Sequence, residues 1–245
     1  VDVLSGKAYL FEDGGKGTLK ETAVPDDLAD DLALYRENLM ESVAETDDDL
    51  IEKFLEEGEL SDEEILGGLR AGVAKAMITP VCVCSALLNK GTAAFLDTIN
   101  LCLPSPADRP AKIGTVPGGS EEAERKPSAD APFSALVFKT MADPYAGRLT
   151  IFRVWSGILK GDSFFNATKN TAERFGQLYV LEGKEQKPVE SAGPGMIVAV
   201  AKLKETTTGD TLCAANAPIV YAAPEALQPV ISFAVSAKKG DEEKL

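Results

Sequence analysis

The period of the apolar pattern changes partway along the chain, and that change bounds what the chain can fold into. Up to Pro104, apolar residues recur every three or four positions among acids, whereas beyond residue 130 they come in short runs separated by Gly, Pro and Asp. The first texture is that of amphipathic helices and the second that of short strands. One regular architecture cannot satisfy both. The 245 residues therefore read as more than one domain, within the ~100–200 residues usual for each.

Charge divides at the same place. Residues 1–104 hold 8 basic and 22 acidic side chains, a net −14, whereas residues 105–245 hold 17 of each. A module this acidic is repelled by a phosphate backbone, so free duplex nucleic acid is excluded as its partner. The chain has no histidine, which excludes within it Ser-His-Asp and Cys-His catalysis and His-containing zinc sites. The four cysteines, Cys82, Cys84, Cys102 and Cys213, are expected to be reduced, buried thiols of a cytoplasmic protein. The spacing of Cys82 and Cys84 is wrong for a structural zinc pair, and no metal site is expected. No run approaches the ~18 apolar residues of a membrane helix and no basic-then-apolar leader is present, so no membrane is expected as a partner. A first residue of Val1 and an end at Leu245 read as an excised fragment.

Residues 1–4 and 7–11 read as short strands broken by Ser5-Gly6 and ended by Asp13-Gly14-Gly15. Pro25 then opens a helix whose stripe is Leu28, Leu32, Tyr35, Leu39 and Val43. Two capping boxes follow. Thr46-x-x-Asp49 precedes a helix ended by Gly58, and Ser61-x-x-Glu64 precedes another, with Leu60 and Ile65 spaced as a hydrophobic staple. Val81-Cys82-Val83-Cys84 is a continuous apolar run, the pattern of a strand covered on both faces in a parallel sheet. A loop from 85 to 91 leads from it to a helix with Phe95, Leu96, Ile99, Cys102 and Leu103 on its apolar side, ended by Pro104. This is part of an α/β unit, in which ligand sites lie at the carboxyl ends of strands, where the Ser85 loop is expected.

Residues 105–130 are rich in Pro and Gly without an apolar period and read as a connector. Strands are predicted beyond it over 133–140, 148–155, 162–167, 174–181, 196–203 and 211–213, forming a small closed antiparallel barrel. Residues 230–235 read as one further strand, and Gly240-Asp241-Glu242-Glu243 as the start of a helix.

Most motif matches fail on chemistry. Gly14-Gly15-Lys16-Gly17 lacks the Ser or Thr that a phosphate loop places after its lysine to hold magnesium, and Asn89-Lys90-Gly91-Thr92 has Thr92 where a guanine-reading Asn-Lys-x-Asp motif needs a carboxylate. Carboxylate pairs abound in 1–104 but lie on helix surfaces, so no catalytic residue is expected. What remains is Cys84-Ser85-Ala86-Leu87-Leu88-Asn89-Lys90-Gly91, which reads either as a nucleotide contact or as a plain strand-to-helix connection.

At these residues the chain resembles the bacterial elongation factor G family of translational GTPases. Arg36-Glu37-Asn38-Leu39-Met40-Glu41-Ser42-Val43-Ala44-Glu45-Thr46-Asp47 with Leu50-Ile51-Glu52-Lys53-Phe54-Leu55 is similar to the insert of that family's GTPase domain, and the Ser85 loop to its fifth guanine-nucleotide motif. Pro104-Ser105-Pro106 resembles the exit from the GTPase domain. Asp143-Pro144-Tyr145-Ala146-Gly147-Arg148-Leu149-Thr150, Phe152-Arg153-Val154-Trp155-Ser156-Gly157 and Thr206-Thr207-Thr208-Gly209-Asp210-Thr211-Leu212 resemble domain II, and Pro229-Val230-Ile231-Ser232 the first strand of domain III. The linker from Ala107 to Asp130 is longer than this resemblance leads one to expect, which favours a paralogue or a divergent lineage.

The resemblance implies a multidomain chain: an α/β fragment over 1–104, made of the acidic helical insert with the last strand and helix of a GTPase domain, a linker over 105–130, an all-β translation-factor barrel over 131–226, and the start of domain III over 227–245. It further implies that Ser85, Ala86 and Leu87 border a guanine base. GTP or GDP and Mg belong to the parent protein, whose phosphate-binding motifs would lie upstream of Val1, and none is expected on this fragment. The implied role is GTP-driven translocation on the ribosome, with the insert on the stalk protein and the barrel on small-subunit RNA. The alternative is a non-enzymatic ribosome-binding adaptor that keeps only these modules. Because phosphates supply most of a nucleotide's charge and hydrogen bonds, the isolated chain is expected to show no GTPase activity and no submicromolar GTP binding. Calorimetric titration with GTP checks this.

Overall fold

A computed structural model describes residues 1–12, 16–143, 147–225 and 229–236. The chain forms two compact units, Val1–Ser105 and Pro106–Leu245.

The first unit begins with an antiparallel pair, β1 (Ala8–Phe11) and β2 (Leu19–Thr22), and continues through a 3-10 turn at Asp26–Leu28 into four helices. These are α1 (Ala29–Ala44), α2 (Asp48–Glu57), α3 (Asp62–Ala74) and α4 (Thr92–Cys102). Their shared core is Val43, Ala44, Leu60, Ile65, Leu69 and Cys102, with Leu39, Leu50 and Phe54 packed against it. The expected capping box of Ser61 and Glu64 is present, both side chains bonding across the first turn of α3, and Leu60 and Ile65 meet in the core as a staple would place them. Gly58 ends α2 in the left-handed region at φ 77°, where a side chain would be strained. Arg36 donates to the carbonyl of Leu4 at 2.8 Å and pairs with Asp62, tying the N-terminal turn to α1 and α3.

Several expectations for this unit fail. Thr46 does not cap α2: its hydroxyl is buried and donates to the Val43 carbonyl at 2.7 Å, and Asp47 caps instead, accepting from the Asp49 N–H. The shift arises because Thr46 already sits under Gly68, whose missing side chain lets the α1–α2 corner approach α3. Residues 1–4 form a turn with a single bridge from Asp2 to Lys7 in place of a strand. Residues 81–84 are not a buried strand. Val81 is 87% and Val83 93% exposed, because the described β-structure of this unit is the β1–β2 pair, which does not extend to them. The apolar side of α4 is correspondingly open at Phe95, Leu96 and Leu103, leaving Cys102 as its buried residue. The cysteines divide two and two: Cys82 and Cys84 are exposed, Cys102 and Cys213 buried.

In the second unit the segment read as a connector carries a hairpin, β3 (Lys112–Thr115) with β4 (Glu122–Arg125). The barrel strands follow: β5 (Ser134–Asp143), β6 (Gly147–Ser156), β7 (Leu159–Lys160), β8 (Ser163–Asn166), β9 (Thr171–Arg174), β10 (Leu178–Glu182), β11 (Glu185–Val189), β12 (Ser191–Ala192), β13 (Ile197–Ala201) and β14 (Thr211–Cys213). Eight of them make one antiparallel sheet in the order β11-β10-β13-β6-β5-β14-β8-β9. The ladder is open between β11 and β9. The short β7–β12 pair, adjoining β8 and β11 in sequence, places Leu159 and Ala192 in the same core as both ends of the sheet.

Alternation along the strands builds that core. Ala135 and Val137 of β5, Phe152 and Val154 of β6, and Val198 and Val200 of β13 all face inward, as a period of two requires. Phe164 meets Phe152 edge-on at 6.2 Å and stacks on Phe175 at 5.4 Å. The opposite face of β5 and β6 is covered as well. Leu136, Trp155, Phe165 and Cys213 pack with Ala123 of β4 and with Ile219 and Tyr221, and Thr115 and Val220 exchange main-chain bonds of 2.8 Å. The strand expected over 230–235 is instead an exposed segment without regular secondary structure, since no described strand pairs with it. The Asp13-Gly14-Gly15 turn, residues 144–146 of the barrel motif, and the helix start at Gly240 lie outside the described residues.

Adjacent glycines in α3 give a test of the helical core. A Cβ on Gly67 would meet nothing within 4 Å, whereas one on Gly68 would lie 2.5 Å from Val43 and 2.8 Å from Leu50. Gly67→Ala is expected to stabilise the unit by up to about 1 kcal/mol, and Gly68→Ala to destabilise it by about 1–3 kcal/mol. Urea unfolding followed by circular dichroism separates the two.

Candidate functional site

Three places hold the residues that the sequence singles out. The first is the Ser85 turn. Ser85 and Lys90 exchange main-chain hydrogen bonds at 2.8 and 3.0 Å, and the Asn89 N–H donates to the Ala86 carbonyl at 3.2 Å. Ser85, Ala86 and Leu87 thus share one tight turn, in which Ser85 is half-buried and Leu87 is 95% exposed. Asn89 takes a positive φ of 51° to close it. Gly91, at φ 77°, brings the start of α4 against the Val83 carbonyl, where a Cβ would lie 2.9 Å away. The turn presents its apex to solvent. It does not crown a buried parallel strand, since residues 81–84 form none.

The second place is the acidic helical surface. From residue 26 to 64 there are 17 carboxylates and two cations, Arg36 and Lys53. All but Glu64 of these carboxylates are exposed. Lys53 bonds to Glu64 at 2.8 Å, and with the Ser61 hydroxyl and N–H it holds the Glu64 carboxyl down at about 2. Arg36 pairs with Asp62 and Lys53 also approaches Glu57 at 3.7 Å, and the remaining carboxylates leave the surface strongly negative, a field that attracts basic groups over roughly a Debye length.

The third is a polar clasp on the barrel, built from the Thr206-Thr207-Thr208-Gly209-Asp210 stretch. Glu173 on β9 is buried and accepts from the N–H groups of Lys204, Glu205 and Thr206 at 2.7, 2.9 and 2.9 Å, and from the Thr206 hydroxyl. Asp210 accepts from the Asn166 amide at 3.0 Å and the Thr207 N–H at 2.8 Å, with the Lys169 ammonium at 3.4 Å. Arg148 donates to the Thr206 carbonyl. Two buried carboxylates thereby fix a loop of successive N–H groups on the barrel surface. Burial alone would raise the Glu173 carboxyl, but the Thr206 hydroxyl and the three N–H groups outweigh it and hold it below the ordinary carboxylate range. No sequence motif points to Glu173. Its signal is weak, a single acid in a strand whose partners lie about thirty positions on.

A fourth feature also escapes sequence reading, a cluster of Arg109, Lys112, Arg125 and Arg153 around Trp155 beneath the β3–β4 hairpin. Its members come from three separate segments, around Arg109 and Lys112, at Arg125, and at Arg153 with Trp155, so no single local motif betrays them. Among the described residues no group of His, Cys, Asp and Glu is placed to hold a metal ion, and no helix is long and apolar enough to cross a membrane.

The barrel is of the translation-factor class, since residues 132–215 match the family model of elongation factor G domain 2. A crystal structure of a protein from Thermus thermophilus matches the chain with a TM-score of 0.72 at 30% identity, covering 94% of this chain and 31% of that one. The domain match supports a relation of the barrel to elongation factor G, and the chain spans less than a third of the solved protein's length.

Because the folded Glu173 carboxyl lies below its unfolded value, its stabilisation is fully present above about pH 4.3 and is lost as pH falls through the lower folded value. Glu173→Gln is expected to cost the barrel about 1.5–3 kcal/mol at pH 7, and the gap to the parent chain should narrow near pH 3. Urea unfolding read by emission of Trp155, the one tryptophan, checks both limbs.

Proposed function

We propose that the chain is the central part of an elongation factor G-like translational GTPase that drives GTP-dependent translocation on the ribosome in the cytoplasm. Residues 1–104 are the insert subdomain and the C-terminal end of the GTPase domain, 105–130 the linker, 131–226 domain II, and 227–245 the start of domain III. The observation that carries the reading is the elongation factor G domain 2 match at residues 132–215 inside a structural match that covers 94% of the chain. Exposed Val81, Val83, Phe95 and Leu96 support it too, because a strand and helix that belong to a larger parallel sheet show apolar faces when the rest of that sheet lies elsewhere in the protein.

In this reading Ser85, Ala86 and Leu87 border the guanine base of GTP or GDP, whose phosphates and Mg are held by the remainder of the parent protein. The turn offers main-chain groups at its exposed apex and leaves the chemistry to other residues. The clasped loop holds the barrel surface rigid where it meets small-subunit RNA. The acidic helices meet the stalk protein, their charge chiefly raising the rate of encounter.

Binding of the chain to the isolated stalk protein is expected to weaken about tenfold or more between ~50 and ~300 mM salt, measured by surface plasmon resonance alongside co-sedimentation with ribosomes. Salt-insensitive stalk binding removes the electrostatic role of the helices. Absence of ribosome binding at low salt removes the reading itself.

A further inference from the structure

Beneath the β3–β4 hairpin, cations converge without an anion. Lys112 Nζ and the Arg153 guanidinium carbon each lie 4.8 Å from the centre of the Trp155 indole. Arg125 donates to the carbonyls of Glu124 and Ala217 at 3.0 and 2.9 Å, and Arg109 stands at the rim. Among the described residues no carboxylate lies within ion-pair distance of any of the four. Arg125 Nε, Arg153 Nε and Trp155 Nε1 are buried, and none has a hydrogen-bond partner.

Each buried N–H left without an acceptor costs about 1–3 kcal/mol, and clustering like charges adds repulsion. Folded proteins retain such a group of orphaned donors where something else supplies the acceptors. The inventory is one-sided, since guanidinium, ammonium and indole N–H groups donate and do not accept. A complementary ligand is therefore an acceptor with negative charge. The notch has room for about 10 Å³, roughly one water-sized atom, so a single oxygen enters while the rest of the ligand stays outside. The indole already contacts two cations, so it is not offered as a platform for a stacked base. Several separate cations around one oxygen-sized notch suit a tetrahedral phosphate, whose remaining oxygens can each meet a different donor.

We propose that this notch is a phosphate-binding site, in which one phosphoryl oxygen takes the buried donors of Arg125, Arg153 and Trp155 while the others face Arg109 and Lys112. The phosphoryl group can belong to a small free anion or to the backbone of an RNA strand. The proposal rests on the notch alone and is independent of the ribosomal reading.

Trp155, as the one tryptophan, reports on the site directly. The full chain is titrated with inorganic phosphate, pyrophosphate and a short single-stranded RNA, each against sodium chloride at matched ionic strength. A saturable change in emission beyond the chloride control is expected with at least one probe. Saturation by phosphate or pyrophosphate assigns the site to a small anion, and saturation by RNA alone assigns it to a phosphodiester. Arg109→Gln and Lys112→Gln, whose side chains make no hydrogen bond that the fold uses, should each raise the half-saturation concentration about fivefold or more, with unchanged urea midpoints. No saturable response to any of the three probes, or half-saturation unaltered in both variants, overturns the proposal.

Discussion

Burial of both faces of the β5–β6 pair is the constraint on which the second unit depends. A strand with a period of two sends alternate side chains to opposite sides. Phe152 and Val154 therefore enter the barrel core while Arg153 and Trp155 must face outward. Leaving an indole and a guanidinium stem in water on that side would forfeit their apolar contact. The β3–β4 hairpin and the segment around Tyr221 supply the cover. The same covering act brings Lys112 and Arg125 over the ring and creates the cationic notch. The site and the packing layer thus have one cause.

The first unit rests on a smaller core in which glycine sets the spacing. Gly68 and Gly72 let Val43, Leu50, Thr46 and Ile78 approach α3 more closely than any side chain would permit. That closeness moves Thr46 from cap to core and passes the capping role to Asp47. The acids occupy positions that packing leaves free. Their concentration between residues 26 and 64 makes this surface a charged one, while the weakly packed remainder of the unit keeps apolar side chains such as Val81 and Phe95 at the surface.

The fold is largely legible where one residue's environment is decided by near neighbours. The Ser61–Glu64 box, the Gly58 stop and the alternation of β5, β6 and β13 all follow from local periodicity and capping chemistry, and the structure contains each. Reading fails where the deciding partner is distant. Residues 81–84 and 230–235 have the composition of strands, but a strand exists only with a partner to pair with, and composition does not state whether one is in reach. The connector hides a hairpin because its apolar residues larger than alanine, Pro aside, are only Ile113 and Val116, and the segment that bridges to it, at Val220, lies over a hundred positions away. Of the site features, the Ser85 turn is visible as a short loop, whereas Glu173 and the cluster around Trp155 are assembled from separate strands and leave no linear trace.

The division of the cysteines has a consequence for how the two units can be observed. Cys102 lies in the helical core and Cys213 in the second unit, and burial raises both thiols above their ordinary range, so neither presents a thiolate to a reagent while its unit is folded. Cys82 and Cys84 are exposed and react at once. The chain therefore carries its own pair of chemical clocks, one thiol timing the opening of each unit, with the two exposed thiols marking zero time.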